Sequence, residues 1–334
     1  MKTTIVDVAK AAGVSVSVVS RVLMGRGYVN AEKREHILKT MRELDYHPSP
    51  LAKGLRDGRT NTLGLLFFWL RTPFLPDYYQ REILAGVLDT CVTRNYQLLI
   101  NNFMGEMQDL EADRFQCKRI IKDPRAEGLL VVNPPEALME VFRKAPERVV
   151  LINRQDPKLS FSDADQKAAM QALVGHLISK GHTRIGLLAG DSQRDSSAEP
   201  RKQAFKESMK KQGLALEPGL VFDGHFTEDY GSAGAHYFAA MENPPTALVA
   251  SADSMALGAL RFMRGLPAKK RLAVVSIDDS PDAALPENAL TTMHQPFYEM
   301  GRKATEALIS RLAAPESEPI QALLPMQLIV RKSA

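Results

Sequence analysis

A glycine set between two short amphipathic runs constrains this chain more than any other feature. Thr4 is placed to cap a first helix, with Asp7 three residues on as the acidic partner of a capping box, and Ile5, Val8, Ala9 and Ala12 then share one face. Gly13 breaks the run, because the left-handed exit from a helix is open to glycine, and Ser15 can cap the helix that follows. Val14 is left to pack between the two. In the second helix Val18, Val19 and Val22 face inward, which leaves Val16, Ser17, Ser20 and Arg21 where they can meet a duplex. A third helix runs from Asn30 as its cap to about Leu44, with Ile37, Leu38, Met41 and Leu44 on its apolar face. Three helices with a tight turn between the first two make a helix-turn-helix, a DNA-reading unit. On the pattern alone, a small helical bundle without a ligand is the alternative.

Charge bears on that choice. Residues 1–60 hold 11 Lys and Arg against 6 Asp and Glu, so the chain's net charge of +4 originates entirely in this segment. A positive surplus confined to a small helical head suits attraction to phosphates, which supplies much of DNA-binding affinity; a merely solvated basic surface is the bland alternative.

Beyond Asn61 short apolar runs alternate with amphipathic stretches. The runs predict strands over Thr62–Phe68, Gln97–Asn101, Gly128–Val132, Val149–Asn153, Arg184–Ala189, Ala247–Ala250 and Leu272–Ile277. Helices are expected over Tyr78–Arg94, Asp165–Lys180, Pro200–Gln212, Tyr230–Met241, Asp253–Met263 and Tyr298–Leu312. This order implies doubly wound parallel sheets. It is too long for one sheet, and the polar stretch Arg154–Asp163 offers a natural break, so two lobes are expected with a ligand cleft at the strand C-termini. Residues 47–60 join head to body with Pro48 and Pro50 at the front and Gly54 and Gly58 further along, too interrupted for a robust isolated helix.

Composition excludes several classes. The two cysteines, Cys91 and Cys117, form no CxxC pair and no disulfide framework, which fits a reducing cytoplasm. The opening residues show no basic segment followed by an apolar run, so no secretory signal is expected, and the longest apolar stretch, Leu63 to Leu70, falls far short of the ~20 residues that span a bilayer. There is no GxSxG, no GxxxxGK[ST], no HExxH and no pair of histidines at the spacing of a helical zinc site, so neither catalysis nor a cofactor nor a metal is expected. Binding is better supported. Arg201 stands just inside a helix start, where its planar guanidinium suits hydroxyls or a carboxylate. Asp278 ends an apolar strand and would point a carboxylate into the cleft.

Several motifs resemble, in order and spacing, the LacI/GalR family of bacterial transcription regulators. In the head and hinge they are Val6-Asp-Val-Ala, Gly13-Val-Ser, Val19-Ser-Arg-Val-Leu23, Leu44-Asp-Tyr-His-Pro48 and Leu51-Ala-Lys-Gly-Leu55. In the body they are Gly181-His-Thr-Arg-Ile-Gly186, Leu188-Ala-Gly190, Asp253-Ser-Met-Ala-Leu-Gly258, Ser276-Ile-Asp-Asp279 and Leu290-Thr-Thr-Met-His-Gln-Pro296. The resemblance implies a helix-turn-helix head over 1–46, a hinge over 47–60 and a periplasmic-binding-protein-like body over 61–334. Lobe one would take about 61–155 and 293–318, lobe two about 160–290 and 320–334, with three crossings between them and a final strand near Ala322–Val330 in lobe two. It implies DNA contacts from Thr4, Ser15, Val16, Ser17, Ser20, Arg21, Asn30 and Arg34, and from Ala52, Lys53 and Leu55 in the hinge, where Leu55 would wedge between base pairs in the minor groove.

In the cleft, the resemblance supports Arg201 and Asp278 and adds Phe226, whose ring would cover an apolar sugar face. Asn153, Asp253 and Gln295 are weaker candidates, and Asp253 can instead cap the helix it begins. Trp69, Arg71, Phe74, Tyr78 and Tyr79 would line the near wall, although the spacing there departs from the family pattern by about a residue. The expected function is a repressor, dimeric on a near-palindromic operator and controlled by a small molecule, commonly a sugar or sugar derivative. Arg71, Arg154, Arg194 and Arg201 leave room for an acidic or phosphorylated one. A periplasmic-type sugar-binding protein without a transcriptional role is the alternative.

Overall fold

The computed structural model describes residues 3–24, 28–46, 60–68, 77–103, 110–191 and 196–334, which form two compact units, Met1–Asn61 and Thr62–Ala334. Ala52, Lys53 and Leu55, with Trp69, Arg71, Phe74 and Arg194, lie outside the described residues.

The first unit holds α1 (Ile5–Ala11), α2 (Val16–Met24) and α3 (Ala31–Glu43). Thr4 and Asp7 make the expected reciprocal capping box, and Gly13 takes the left-handed φ of 65° that turns the chain into α2. Asn30 caps α3 by accepting from the backbone N–H of Glu32 at 2.9 Å. Val8, Ala9, Ala12, Val19, Val22, Ile37 and Met41 form the core, with Val14 packed against it. Two expectations fail here. Leu38 is 39% exposed, because Thr40 takes the inward place beside Ile37 and Met41 and satisfies its buried hydroxyl on the carbonyl of His36. Ser20 is buried, because α2 packs against both α1 and α3 and its covered arc is wider than the valine stripe suggests.

The second unit contains two six-stranded sheets of like topology. β1 (Thr62–Phe68), β2 (Gln97–Phe103), β3 (Gly128–Val132), β4 (Val149–Ile152), β5 (Ser160–Ala164) and β11 (Gln321–Leu324) form the first, in the order β11-β5-β4-β3-β1-β2 and all parallel. β6 (Ile185–Ala189), β7 (Val221–Asp223), β8 (Ala247–Ala250), β9 (Ala273–Asp278), β10 (Thr291–His294) and β12 (Gln327–Ile329) form the second, in the order β12-β10-β9-β8-β6-β7, with only β12 antiparallel. The central strands β1, β3, β4, β6 and β8 are nearly continuous apolar runs, as expected for parallel sheets buried on both faces. Around sheet one pack α4 (Tyr78–Thr93), α5 (Leu110–Ile121), α6 (Met139–Phe142) and α12 (Phe297–Ala313); around sheet two pack α7 (Gln166–Ser179), α8 (Ala198–Lys211), α9 (Glu228–Ala239) and α10 (Asp253–Arg264). A short α11 (Pro281–Ala284) follows β9. Among the described residues, no helix is long and apolar enough to cross a membrane.

Glycines let helices meet backbone to backbone. A Cβ on Gly258 of α10 would run into the carbonyl of Glu228, and one on Gly231 of α9 into that of Met255. Gly86 of α4 and Gly301 of α12 make the same reciprocal contact.

The chain passes between the lobes three times, at β5 to α7, at β10 to α12 and at β11 to β12. Two lobe assignments are corrected. Ser160–Ala164, expected to open lobe two, is an interior strand of sheet one whose polar residues are buried; Ser160 Oγ accepts from the N–H of Ile320 at 2.9 Å. The expected last strand near Ala322–Val330 is two strands split at Pro325–Met326, with the first half in sheet one.

Candidate functional site

In the head, the N-terminal end of α2 presents Ser15, Val16 and Ser17 to solvent, with Arg21 one turn on. The Ser15 carbonyl accepts the first helical N–H groups, from Val18 and Val19, while its hydroxyl lies 2.8 Å from that of Ser17. Val16, 40% exposed, offers a surface apolar contact that no folding requirement explains. Thr4, Asn30 and Arg34 are exposed too, though the side chains of Thr4 and Asn30 are engaged as caps. Ser20 is withdrawn from this surface by its burial.

In the body, residues just past the strand C-termini of one lobe meet those of the other. Gln295, which leads from β10 to α12, is fully buried; its Oε1 accepts from Nη2 of Arg201 at 2.7 Å and its Nε2 donates to Asn153 Oδ1 at 3.1 Å. Ser196, ahead of α8 in lobe two, donates its backbone N–H to Asn133 Oδ1 at 3.0 Å and its hydroxyl to the carbonyl of Asn153 at 2.9 Å. Asn133, Asn153, Asp278 and Asp279 follow or end strands with φ of 51°, 59°, 134° and 62°. Such left-handed non-glycine backbone is uncommon and clusters at binding sites.

Arg201 is 3% exposed and held on three sides, by Gln166 Oε1 at 2.7 Å, by the Ser251 carbonyl and by Gln295. Its charge faces two carboxylates. Burial pushes the Asp163 carboxyl up, countered by hydrogen bonds from Gln155 and Ala164 and by the field of Arg201. Asp278 is raised well above the usual carboxylate range by burial and by the nearby Asp253, again against the pull of Arg201. One Asp278 oxygen accepts the Asp253 N–H at 3.3 Å.

Asp253 itself is structural. Its Oδ1 accepts from the hydroxyls of Ser276 and Thr292, at 2.5 and 2.7 Å, and its Oδ2 from the N–H of Ser280 at 2.6 Å. It ties β9 to β10 through these bonds. Its side chain does not cap α10, whose N-cap is Ala252 without a side-chain bond.

Phe226 lays its ring over Gly190 at the end of β6, where any side chain would displace it. Tyr78 and Tyr79 meet Phe297 edge to face, with centroids 6.0 and 5.1 Å apart. The Tyr78 hydroxyl is pushed up to about 12 by burial and by Glu82, Asp279, Asp278 and Asp253, so lobe one feels the carboxylates of lobe two. Sequence reasoning missed Asp163, Gln166 and Asn133; the first two sit in and just after a stretch read as a break. Arg154 is committed elsewhere, donating to the Pro134 carbonyl at 3.0 Å and pairing with Glu136. Among the described residues no cluster of His, Cys, Asp and Glu is arranged to hold a metal ion.

A model of the lacI family of bacterial regulatory proteins matches residues 4–49, and one of a periplasmic binding protein-like domain matches residues 174–334. Over 337 residues the chain is 28% identical to the ribose operon repressor of Haemophilus influenzae, an alignment that covers 99% of this chain and 98% of that protein. The transcriptional regulator CelR in complex with cellobiose matches with a TM-score of 0.74 at 26% identity, over 100% of both chains. The lac repressor dimer bound to operator and the anti-inducer ONPF matches in fold with a TM-score of 0.84 at 24% identity, over 100% of this chain and 99% of that one.

Proposed function

The chain belongs to the lacI family of bacterial regulatory proteins, and from that premise we propose that it is a transcriptional repressor. Its operator binding is set by a small-molecule effector, a sugar or sugar derivative, held between the lobes of the body. The observation that carries this reading is the buried chain Arg201–Gln295–Asn153, which links a helix of lobe two to the end of β4 in lobe one. An effector acts only through unequal affinity for two arrangements of the lobes, and a contact to Arg201 would bear on both at once.

Arg201, Asp278, Phe226, Tyr78 and Tyr79 are proposed to meet the effector, with Asn153 and Gln295 linking the lobes behind them. Val16, Ser17 and Arg21 are proposed to read the major groove, supported by Thr4, Ser15, Asn30 and Arg34 around them and by Ala52, Lys53 and Leu55 in the hinge. The working unit is proposed to be a homodimer on a near-palindromic operator. Val92 and Phe115 on helices of lobe one are 75% and 69% exposed, and Ile100 on the edge strand β2 is 49% exposed, so lobe one carries exposed apolar side chains.

Mobility shift with genomic fragments tests the reading, followed by a thermal-shift screen of sugars on the same protein. The expected result is a salt-sensitive, sequence-dependent complex that one sugar weakens or strengthens. Binding of a sugar without any specific DNA complex would make the chain a plain binding protein.

A further inference from the structure

We infer that the effector carries two sugar rings and that the second is held beside the cleft by Tyr230 and His225, over the edge strand β7. This rests on the cleft being a sugar site and goes further by fixing the ligand's length and placing a subsite for its second ring.

Strands β6 and β7 are each followed by a glycine. Ala189 pairs with Asp223, and the N–H of Gly224 donates to the Ala189 carbonyl at 3.0 Å, so Gly190 and Gly224 are the next residues in register and open on the same face of the sheet. An aromatic ring fills the place of each missing side chain. A Cβ on Gly190 would lie 2.0 Å from Cζ of Phe226, and one on Gly224 would lie 2.5 Å from Cδ1 of Tyr230. Two rings therefore rest on neighbouring strand ends, above strands spaced by about 4.8 Å.

The two rings differ in what folding asks of them. Phe226 packs against the apolar cluster that α9 and α10 share with sheet two. Tyr230 belongs to no apolar cluster of the described residues and is 38% exposed. His225 meets the Tyr230 ring edge to face, with centroids 4.5 Å apart, and sets its own Nδ1 3.5 Å from Asp191 Oδ2. Among the described residues, neither the Tyr230 hydroxyl nor Nε2 of His225 has a hydrogen-bond partner. An apolar ring face beside two unspent polar atoms matches a sugar ring, which presents C–H groups on its face and hydroxyls on its rim.

Topology gives the direction of the ligand. In the order β12-β10-β9-β8-β6-β7, Asp278 ends β9 and Phe226 covers the end of β6. A first ring held between them has Tyr230 as its next neighbour, one strand further on. Strand β7 is the edge of the sheet, so a second ring continues toward solvent and meets no further strand.

The test is calorimetry on the full-length protein, with glucose compared against cellobiose and maltose, and galactose against lactose and melibiose. At least one disaccharide should bind about tenfold or more tighter than the monosaccharide from which it is built. Tyr230→Ala should remove that advantage and leave the affinity for the monosaccharide within about twofold, whereas Tyr230→Phe keeps the ring and should keep most of the advantage. If a monosaccharide binds and no disaccharide binds tighter, the inference is overturned while the cleft stands as a sugar site. It is overturned too if Tyr230→Ala leaves the advantage intact, or weakens both ligands equally, since Tyr230 then supports the cleft and not a second ring. If no sugar binds to protein that still holds its operator, the sugar reading falls and this inference with it.

Discussion

Gln295 accepts a 2.7 Å hydrogen bond from the guanidinium of Arg201, and both side chains are buried where the chain passes from β10 to α12. The same amide donates to Asn153 in the other lobe at 3.1 Å. A hydrogen-bonded amide therefore sits on the route by which any change at Arg201 reaches lobe one. Gln295→Leu should strand a buried donor and a buried acceptor, which costs about 1–3 kcal/mol per group. The body's melting temperature should fall, and operator binding should lose its response to the effector. A variant that melts and responds like wild type would show that the lobes communicate elsewhere.

Arg201→Ala is expected to do more than remove an effector contact. Three acceptors lose their donor in a buried site, so stability should drop by several times the ~1 kcal/mol of a single ordinary hydrogen bond. Arg201→Lys keeps the charge but not the three-way fork, and should lose effector response with a smaller loss of stability. Denaturant unfolding of both variants, beside effector calorimetry, separates the two contributions.

The strand pattern was legible because parallel strands buried on both faces announce themselves as apolar runs: Thr62–Phe68, Gly128–Val132 and Ala247–Ala250 were expected with the bounds they have. What escaped was polar and buried. Ser160-Phe-Ser-Asp-Ala164 reads as a linker by composition, yet Ser160 is paired to Ile320 and Asp163 to Gln155 and Ala164. Pairing with β11 and the bond from Ile320 make that stretch an interior strand, and local sequence carries no sign of chain so distant. The burial of Ser20 has the same origin, in a third helix whose position the valine stripe does not encode. Arg201 is singled out by its place at a helix start, whereas the use of its donors by Gln166, Ser251 and Gln295 is visible only in three dimensions.

Gly258→Ala should be among the most damaging small substitutions in the body. The added methyl would meet the Glu228 carbonyl well inside contact distance, and Gly231 opposes it on the partner helix. Helix α10 cannot yield without lifting off α9, and overpacking of this kind costs about 3 kcal/mol. Gly175→Ala is the control, because nothing lies near its missing Cβ. Thermal unfolding should show a loss of several degrees for the first and none for the second.

In the head, exchanging Val16 and Ser17 for another pair should change which operator is preferred without unfolding it. Both side chains are exposed and neither belongs to the core formed by Val8, Val19 and Ile37. Val16 offers only apolar contact, such as to a thymine methyl. Selection from a randomised half-site library should return a different consensus for the double variant, and an unchanged consensus would remove this pair from the reading face.

The last expectation concerns acid. Burial and the Asp253 carboxylate push Asp278 well above the usual carboxylate range, so the native state favours its protonated form. A raised native pKa confers stability that is complete below the ordinary value of about 3.9 and is lost as pH rises through the raised one. Above the ordinary carboxylate range Asp278 therefore works against the fold, and no internal cation fully compensates, because Arg201 is shared with Asp163. Asp278→Asn should raise the melting temperature of the body at neutral pH and flatten its dependence on pH above about 4. Calorimetric scans of wild type and variant across that range decide it: parallel curves would mean that the Asp278 carboxylate is not under strain, and its place at the ligand would have to rest on geometry alone.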